Sequence, residues 1–295
     1  MKVLITGANG FIGQHWVEAM TRFGWEVVAS GMSKRSSLAP LATQYLTFDI
    51  TDELAVKEVF STVRPDAVLH AAAISKPDVC ASNPETALRV NTLATEYLLT
   101  QAASVGSYFC FISTDFVFDG MQGMYTETDT PSPINHYGHT KWMAEQSVMQ
   151  YPFGWSIART VSVYGQPVLG RANILSVVVD KLRRGESYPV VDDQIRTPTY
   201  AGDLAAGVAA LIDGRHNGIF HLSGEEVMTP YQMAIRTAAH VGLDPAGIQR
   251  VTADTFTQPA QRPLRTGFKI DKAKDTIGFK PITFQEGLQR SFPND

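Results

Sequence analysis

Through the first two thirds of the chain, short apolar runs alternate with longer segments whose apolar positions recur every three or four residues. Val3-Leu4-Ile5 leads to a helix predicted from about Phe11 to Phe23. Glu26-Val27-Val28-Ala29 leads to a short helical stretch, and Tyr45-Leu46-Thr47-Phe48 to a helix opening at Thr51-Asp52-Glu53. Ala67-Val68-Leu69-His70 precedes one long helix expected from Pro84 to Ser104. A strand from Phe109 to Ser113, a helix through Tyr137 to Met149 and the strand Trp155-Ser156-Ile157-Ala158 complete the series. The strand runs are apolar without polar alternation, as expected when both faces are covered. Strand–helix alternation at this pitch predicts an α/β fold, a doubly wound parallel sheet with helices on both sides.

Beyond Val168 the pattern loosens. Helices at Ile174 to Arg184, Asp203 to Ile212 and Pro230 to Val241 alternate with short strands such as Gly218-Ile219-Phe220-His221-Leu222. Proline and glycine gather at Gly165-Gln166-Pro167 and again from Pro259 to Gly267. The expected organisation is a sheet domain over residues 1–168. Residues 169–295 would form mainly a smaller C-terminal α/β cap, with some segments returning to the first sheet.

Composition narrows the function classes. The 295 residues carry 25 basic and 29 acidic side chains, a net charge of −4, which leaves no basic face for nucleic acid or an anionic membrane. Cys80 and Cys110 are the only cysteines, too few for a disulfide framework or a zinc ribbon, so a reducing compartment is expected. The start, MKVLITGANG, has no room for a signal-peptide core, and no run reaches the roughly 18 apolar residues of a membrane span. A cytoplasmic protein is expected. His136 and His139 are three apart without an accompanying acid or cysteine cluster, and Asp192-Asp193 reads as a turn, so no metal site is assigned.

The first chemistry-bearing segment is Gly7-Ala8-Asn9-Gly10-Phe11-Ile12-Gly13, between a predicted strand and a predicted helix. Glycines at the first two positions let backbone N–H groups approach a pyrophosphate, and Gly13 lets helix and strand pack closely. A tight turn without a ligand is the plainer alternative. After the second strand the chain reads Ser30-Gly31-Met32-Ser33-Lys34-Arg35, with no acid to accept a ribose hydroxyl. Lys34 or Arg35 could pair with a 2′-phosphate, which favours NADPH and leaves NADH as the alternative. Asp49, with Ile50 beside it, is placed to meet the adenine or to cap the following helix.

Tyr137 and Lys141 are four apart and would share one helix face. A phenol is a reluctant acid near neutrality, and a nearby ammonium stabilises its anion. Ser113-Thr114-Asp115-Phe116 follows the fifth strand at its carboxyl end, where open α/β sheets bind ligands. Thr114 is favoured over Ser113 as the hydroxyl facing a reacting carbonyl, because one of the two must point into the sheet.

The loop GANGFIG, the strand end STDFVFDG and YGHTK followed by Glu145 resemble the extended short-chain dehydrogenase/reductase family. Within it, further similar stretches are YTETDTPSP, ARTVSVYG, DDQIRTPTYAGDLA and GIFHLSG, so the resemblance spans nearly the whole chain. It implies a Rossmann-type sheet and catalysis by Thr114, Tyr137 and Lys141. The glycine loop with Ala71, Ala72 and Ala73 would line the cofactor cleft, and Asn91 would stabilise the long helix beside it. On the substrate side it implies Thr114, Asp115, Phe116 and Arg196. The activity implied is NADPH-dependent reduction of the C4 ketone of a nucleotide-linked 6-deoxy-4-keto-hexose.

Two departures qualify the resemblance. Phe11-Ile12-Gly13 is an epimerase-like ending, and Arg262-Pro263-Leu264-Arg265-Thr266 carries a cation where such reductases carry an uncharged amide. Arg265 therefore bears on which sugar is taken, or supplies charge for a nucleotide diphosphate. Three alternatives stay open: an NAD-dependent epimerase or dehydratase, a non-catalytic regulatory subunit like the partner of methionine adenosyltransferase, and, for assembly, a homodimer.

Overall fold

In the computed structural model the described residues are 1–33, 42–166 and 172–293. The strands are β1 (Lys2–Thr6), β2 (Glu26–Gly31), β3 (Gln44–Thr47), β4 (Ala67–His70), β5 (Tyr108–Thr114), β6 (Trp155–Thr160), β7 (Tyr188–Val191), β8 (Gly218–His221) and β9 (Ile248–Val251). Seven of them form one parallel sheet in the order β3-β2-β1-β4-β5-β6-β8. The strand order reverses between β1 and β4, which opens a crevice at their carboxyl ends.

Side-chain alternation decides which helices cover which face. Val3 and Ile5 of β1, Val27 and Ala29 of β2 and Cys110 and Ile112 of β5 join one core with α1 (Gly13–Arg22). Leu4, Val28, Val68, Phe109 and Phe111 point the other way and meet α2 (Glu53–Val63). The predicted long helix is present, running without interruption from Pro84 to Val105, with a π-turn inside it. Past α3 (Pro77–Ser82), α4 (Pro84–Leu88) passes through a π-helical turn, Arg89–Leu93, into α5 (Ala94–Val105). A π-turn inserts a residue into the helical ladder, a feature invisible to a 3.6-residue period.

α6 (His136–Met149) completes the second face, burying Ala144 and Val148. α7 (Ile174–Arg183) and α9 (Pro230–His240) pack together over the two-stranded parallel sheet β7–β9, with Val178, Val190, Ala234, Ala238 and Ile248 as their core. Between them, α8 (Ala201–Asp213) returns to the large sheet with Leu204, Val208 and Leu211, and β8 extends that sheet. α10 (Asp271–Ile277) lies beside β8, and α11 (Phe284–Ser291) joins the cap through Phe284 and Leu288. The short helix expected after Ala29 falls largely on residues 34–41, outside the described residues.

Candidate active site

At the crevice, β1 ends in the glycine loop. Gly7 has φ +76°, and a Cβ there would lie 2.8 Å from the Ala72 backbone nitrogen. At Gly13 a Cβ would lie 2.3 Å from the Ala8 carbonyl oxygen, so only glycine lets the helix approach the turn this closely. α1 has no side-chain cap and no acid in its first turn, which leaves its N–H groups open to an anion. The loop thus fits a dinucleotide pyrophosphate. Phe11 and Ile12 are half-buried at the helix start. Asn9 is buried beneath the loop, donating to Ser33 Oγ at 3.0 Å and to the Tyr45 hydroxyl at 2.5 Å.

Of the other residues expected on the cofactor side, Ala71, Ala72 and Ala73 are half-buried, with Ala72 against Gly7. Ile50 is buried. Asp49 accepts from the Thr51 N–H and hydroxyl, both at 2.8 Å, while Asp52 caps α2. Lys34 and Arg35 lie outside the described residues.

A chain of directed hydrogen bonds supports the crevice floor. Thr6 Oγ1 accepts from the N–H groups of Ala71 and Ala72, so its own proton goes to His70 Nδ1, 2.7 Å away. His70 Nε2 then donates to Thr95 Oγ1 at 3.0 Å, and Thr95 donates to the Asn91 carbonyl. Burial holds His70 down to about 3, so the ring is neutral, as this chain requires. Asn91 sits in the π-turn. Its side chain pairs with the backbone of Ile74 and donates to Thr140 Oγ1, whose hydroxyl donates to the Tyr137 carbonyl.

Asn135 caps α6, accepting from the Gly138 N–H at 2.9 Å, and so fixes the turn that carries Tyr137. The half-buried Tyr137 lies beside the Thr114 side chain and meets the Phe116 ring edge-on at 5.9 Å. Burial pushes the phenol above its ordinary value, and Thr114 lowers it. Thr114 donates to Asp115 Oδ1 at 3.0 Å and accepts from the Phe116 N–H at 3.2 Å, so its single proton is held by the carboxylate. Lys141, one turn along and buried, donates to the Ile112 carbonyl at 2.7 Å and lies 3.8 Å from the centre of the Phe111 ring. Burial lowers it to about 7, with Glu145 raising it. The structure therefore brings Thr114 and Tyr137 together and sets Lys141 on the same helix face. Ser113 lies buried beside them without a partner.

Residues 260–266, the side on which the substrate was expected, are tied to α3, α6 and the end of β5. Arg262 makes a bidentate pair with Asp78 of α3, at 2.7 and 2.5 Å. Asn135 donates to the Gln261 carbonyl at 2.8 Å, and Thr266 donates to Asp115 Oδ2. Arg196 is buried, with its Nη protons committed to the carbonyls of Ile195, Pro263 and Leu264 and to Gln194 Oε1. It braces this segment from behind, with Nε 3.9 Å from Asp115. Arg265 is exposed, its backbone N–H held by the Gly120 carbonyl.

Sequence reasoning passed over Asp78, Asn135 and Thr266, although an asparagine two residues before Tyr137 is a readable helix cap. Among the described residues there is no cluster able to hold a metal ion. Nor is any described helix long and apolar enough to cross a membrane.

Residues 1–294 match the family described as RmlD substrate binding domain. Methionine adenosyltransferase 2 subunit beta of Mus musculus is 31% identical over 98% of this chain and 86% of that protein. A probable low-salt glycan biosynthesis reductase, Agl14, of Haloferax volcanii is 31% identical over 98% and 96% of the two chains. The crystal structure of a dTDP-4-dehydrorhamnose reductase from Bacillus anthracis in complex with NADP superimposes with a TM-score of 0.88, at 27% identity, covering 100% of this chain and 99% of that one.

Proposed function

The chain belongs to the RmlD substrate binding domain family, and on that premise we propose that it is an NADPH-dependent reductase of a nucleotide-linked sugar. The substrate is a 6-deoxy-4-keto-hexose joined to a nucleoside diphosphate, reduced at C4, the chemistry of dTDP-rhamnose biosynthesis. The contact between Tyr137 and Thr114 at the carboxyl end of β5, with Lys141 one turn along, is the observation that carries this reading.

The glycine loop, Asn9 and residues 71–73 hold the dinucleotide, which when bound supplies a hydride. The 27% identical neighbour holding NADP and the absence of an acid at the described end of β2 support NADPH over NADH. Thr114 orients the ketone, and its hydroxyl, bonded to Asp115 here, turns toward oxygen as charge develops there. Tyr137 donates the proton to that oxygen. Lys141 stabilises the phenolate left behind and holds the ribose. Phe116 and Asp115 flank the ketone, and Arg265 at the exposed rim takes the diphosphate.

The test is NADPH oxidation against a panel of nucleotide-linked 4-keto sugars. Tyr137→Phe should lower kcat by about 10²- to 10⁴-fold, the range for a lost general acid, with NADPH affinity preserved. Wild-type turnover in that variant ends the assignment. An epimerase or dehydratase would instead retain oxidised cofactor through purification and consume no NADPH.

The identity to methionine adenosyltransferase 2 subunit beta favours a second reading, a regulatory subunit. It requires binding to a methionine adenosyltransferase catalytic chain that Tyr137→Phe leaves intact, and silence across the sugar panel.

A further inference from the structure

One turn beyond Lys141 on α6 lies a carboxylate that the chemistry above does not use. Glu145 and its partner Arg159 of β6 have side chains 0% and 1% exposed. Arg159 Nε reaches the two carboxylate oxygens at 3.0 and 3.2 Å, and Nη2 reaches Oε2 at 2.6 Å. On its far side the guanidinium lies 5.1 Å over Phe118, with Nη1 3.5 Å from His221 Nε2. In the sheet, Arg159 pairs with Ser113, the residue before Thr114, and with His221 of β8. A buried ion pair is thus built into the strand behind the catalytic hydroxyl and the helix behind the phenol.

We propose that Glu145, held in place by Arg159, is a positioning residue for Lys141, supplying the buried counter-charge that keeps this lysine an ammonium beneath Tyr137. The inference rests on the reading of Lys141 as the group that tunes the phenol. Burial of the lysine favours the neutral amine, while its bond to the Ile112 carbonyl and its place over the Phe111 ring favour the ammonium without supplying a counter-charge.

Glu145 is bound to Arg159, yet it stands on the lysine's own helix, four residues on and buried, whereas the other acids come from neighbouring elements. His70 of β4 is neutral. Cys80 of α3 has its thiol pushed up by burial, and Asp78 is committed to Arg262. Glu96 of α5 accepts from Ser147. Asp115, after β5, is raised by burial and shared between Thr114 and Thr266. Tyr137 is a neutral phenol until it reacts. Glu145 raises Lys141 against the burial that draws it down to about 7. Arg159 fixes the direction of the carboxylate.

The test is a ¹³C-lysine NMR titration of the whole chain without substrate, with the Lys141 signal identified by its loss in Lys141→Arg. Glu145→Gln alone strands the charge of Arg159, so Glu145→Gln with Arg159→Met, which removes both charges, is the informative variant. The Lys141 titration should fall by about one unit, a tenfold loss of ammonium on the alkaline side. The alkaline limb of kcat/KM should move to lower pH with it. An unmoved titration in the folded double variant makes the pair merely structural and overturns the proposal. Should that variant not fold, Glu145→Asp withdraws the charge by one methylene. A lower Lys141 titration then supports the proposal, and an unchanged one overturns it. A chain that oxidises no NADPH fails the functional reading, while the titration still decides this one.

Discussion

The glycine loop and the segment 260–266 border one crevice on opposite sides of β4, and they are built by opposite means. The loop is shaped by what is missing: at Gly7 and Gly13 no side chain exists, so backbone meets backbone. Segment 260–266 is held by what other elements reach out with, namely Asp78, Asn135, Arg196 and Asp115. A wall made of backbone is rigid and takes a constant ligand part such as a pyrophosphate. A wall made of side-chain hydrogen bonds can be retuned residue by residue.

The largest expected effect breaks the first wall. Gly7→Val forces a β-branched residue to φ +76° and drives its Cβ to 2.8 Å from the Ala72 nitrogen. Overpacking against backbone costs about 1–3 kcal/mol, so dinucleotide affinity should fall by about a hundredfold. Isothermal titration with NADPH measures it. Unchanged affinity would mean that the dinucleotide lies elsewhere.

An intermediate effect separates the two walls. Arg262→Met removes the bidentate pair with Asp78 that anchors the segment to α3. A hydrogen bond to a charged group contributes about 1.5–3 kcal/mol, and both side chains keep some contact with water. The expected outcome is a rise in sugar KM of about tenfold, with NADPH affinity unmoved. Equal losses on both measurements would show that the walls are not independent.

The same contrast explains what could be read in the chain. Gly7, Gly10 and Gly13 lie within seven residues of each other, and Tyr137 and Lys141 within one helical turn, so local spacing carries both signals. The parallel sheet was legible because Val3-Leu4-Ile5 and its counterparts bury both faces. The pairs that hold the substrate wall are Asp78 with Arg262, Asn135 with Gln261 and Asp115 with Thr266, separated by 184, 126 and 151 residues. No spacing rule reaches that far. Arg196 illustrates the cost: the resemblance set it on the substrate side, yet its donors brace the carbonyls of residues 263 and 264. The π-turn at Arg89–Leu93 escaped because it leaves the helix continuous and the apolar period almost intact.

The smallest expected effect tests whether the second wall reaches the chemistry at all. Thr266 donates to Asp115 Oδ2, and Asp115 Oδ1 accepts from Thr114, so one carboxylate links segment 260–266 to the hydroxyl beside Tyr137. Thr266→Val keeps the shape and deletes the donor. Asp115 is buried, and losing this partner raises its proton affinity further and frees Thr114 to rotate. One hydrogen bond of this kind contributes about 1 kcal/mol, so kcat/KM should fall about fivefold. NADPH affinity should stay constant, and Thr266→Ser should recover most of the loss. A valine variant with wild-type kcat/KM would show that Thr114 is oriented from the sheet alone, leaving segment 260–266 as cover for the sugar with no hold on the reacting group.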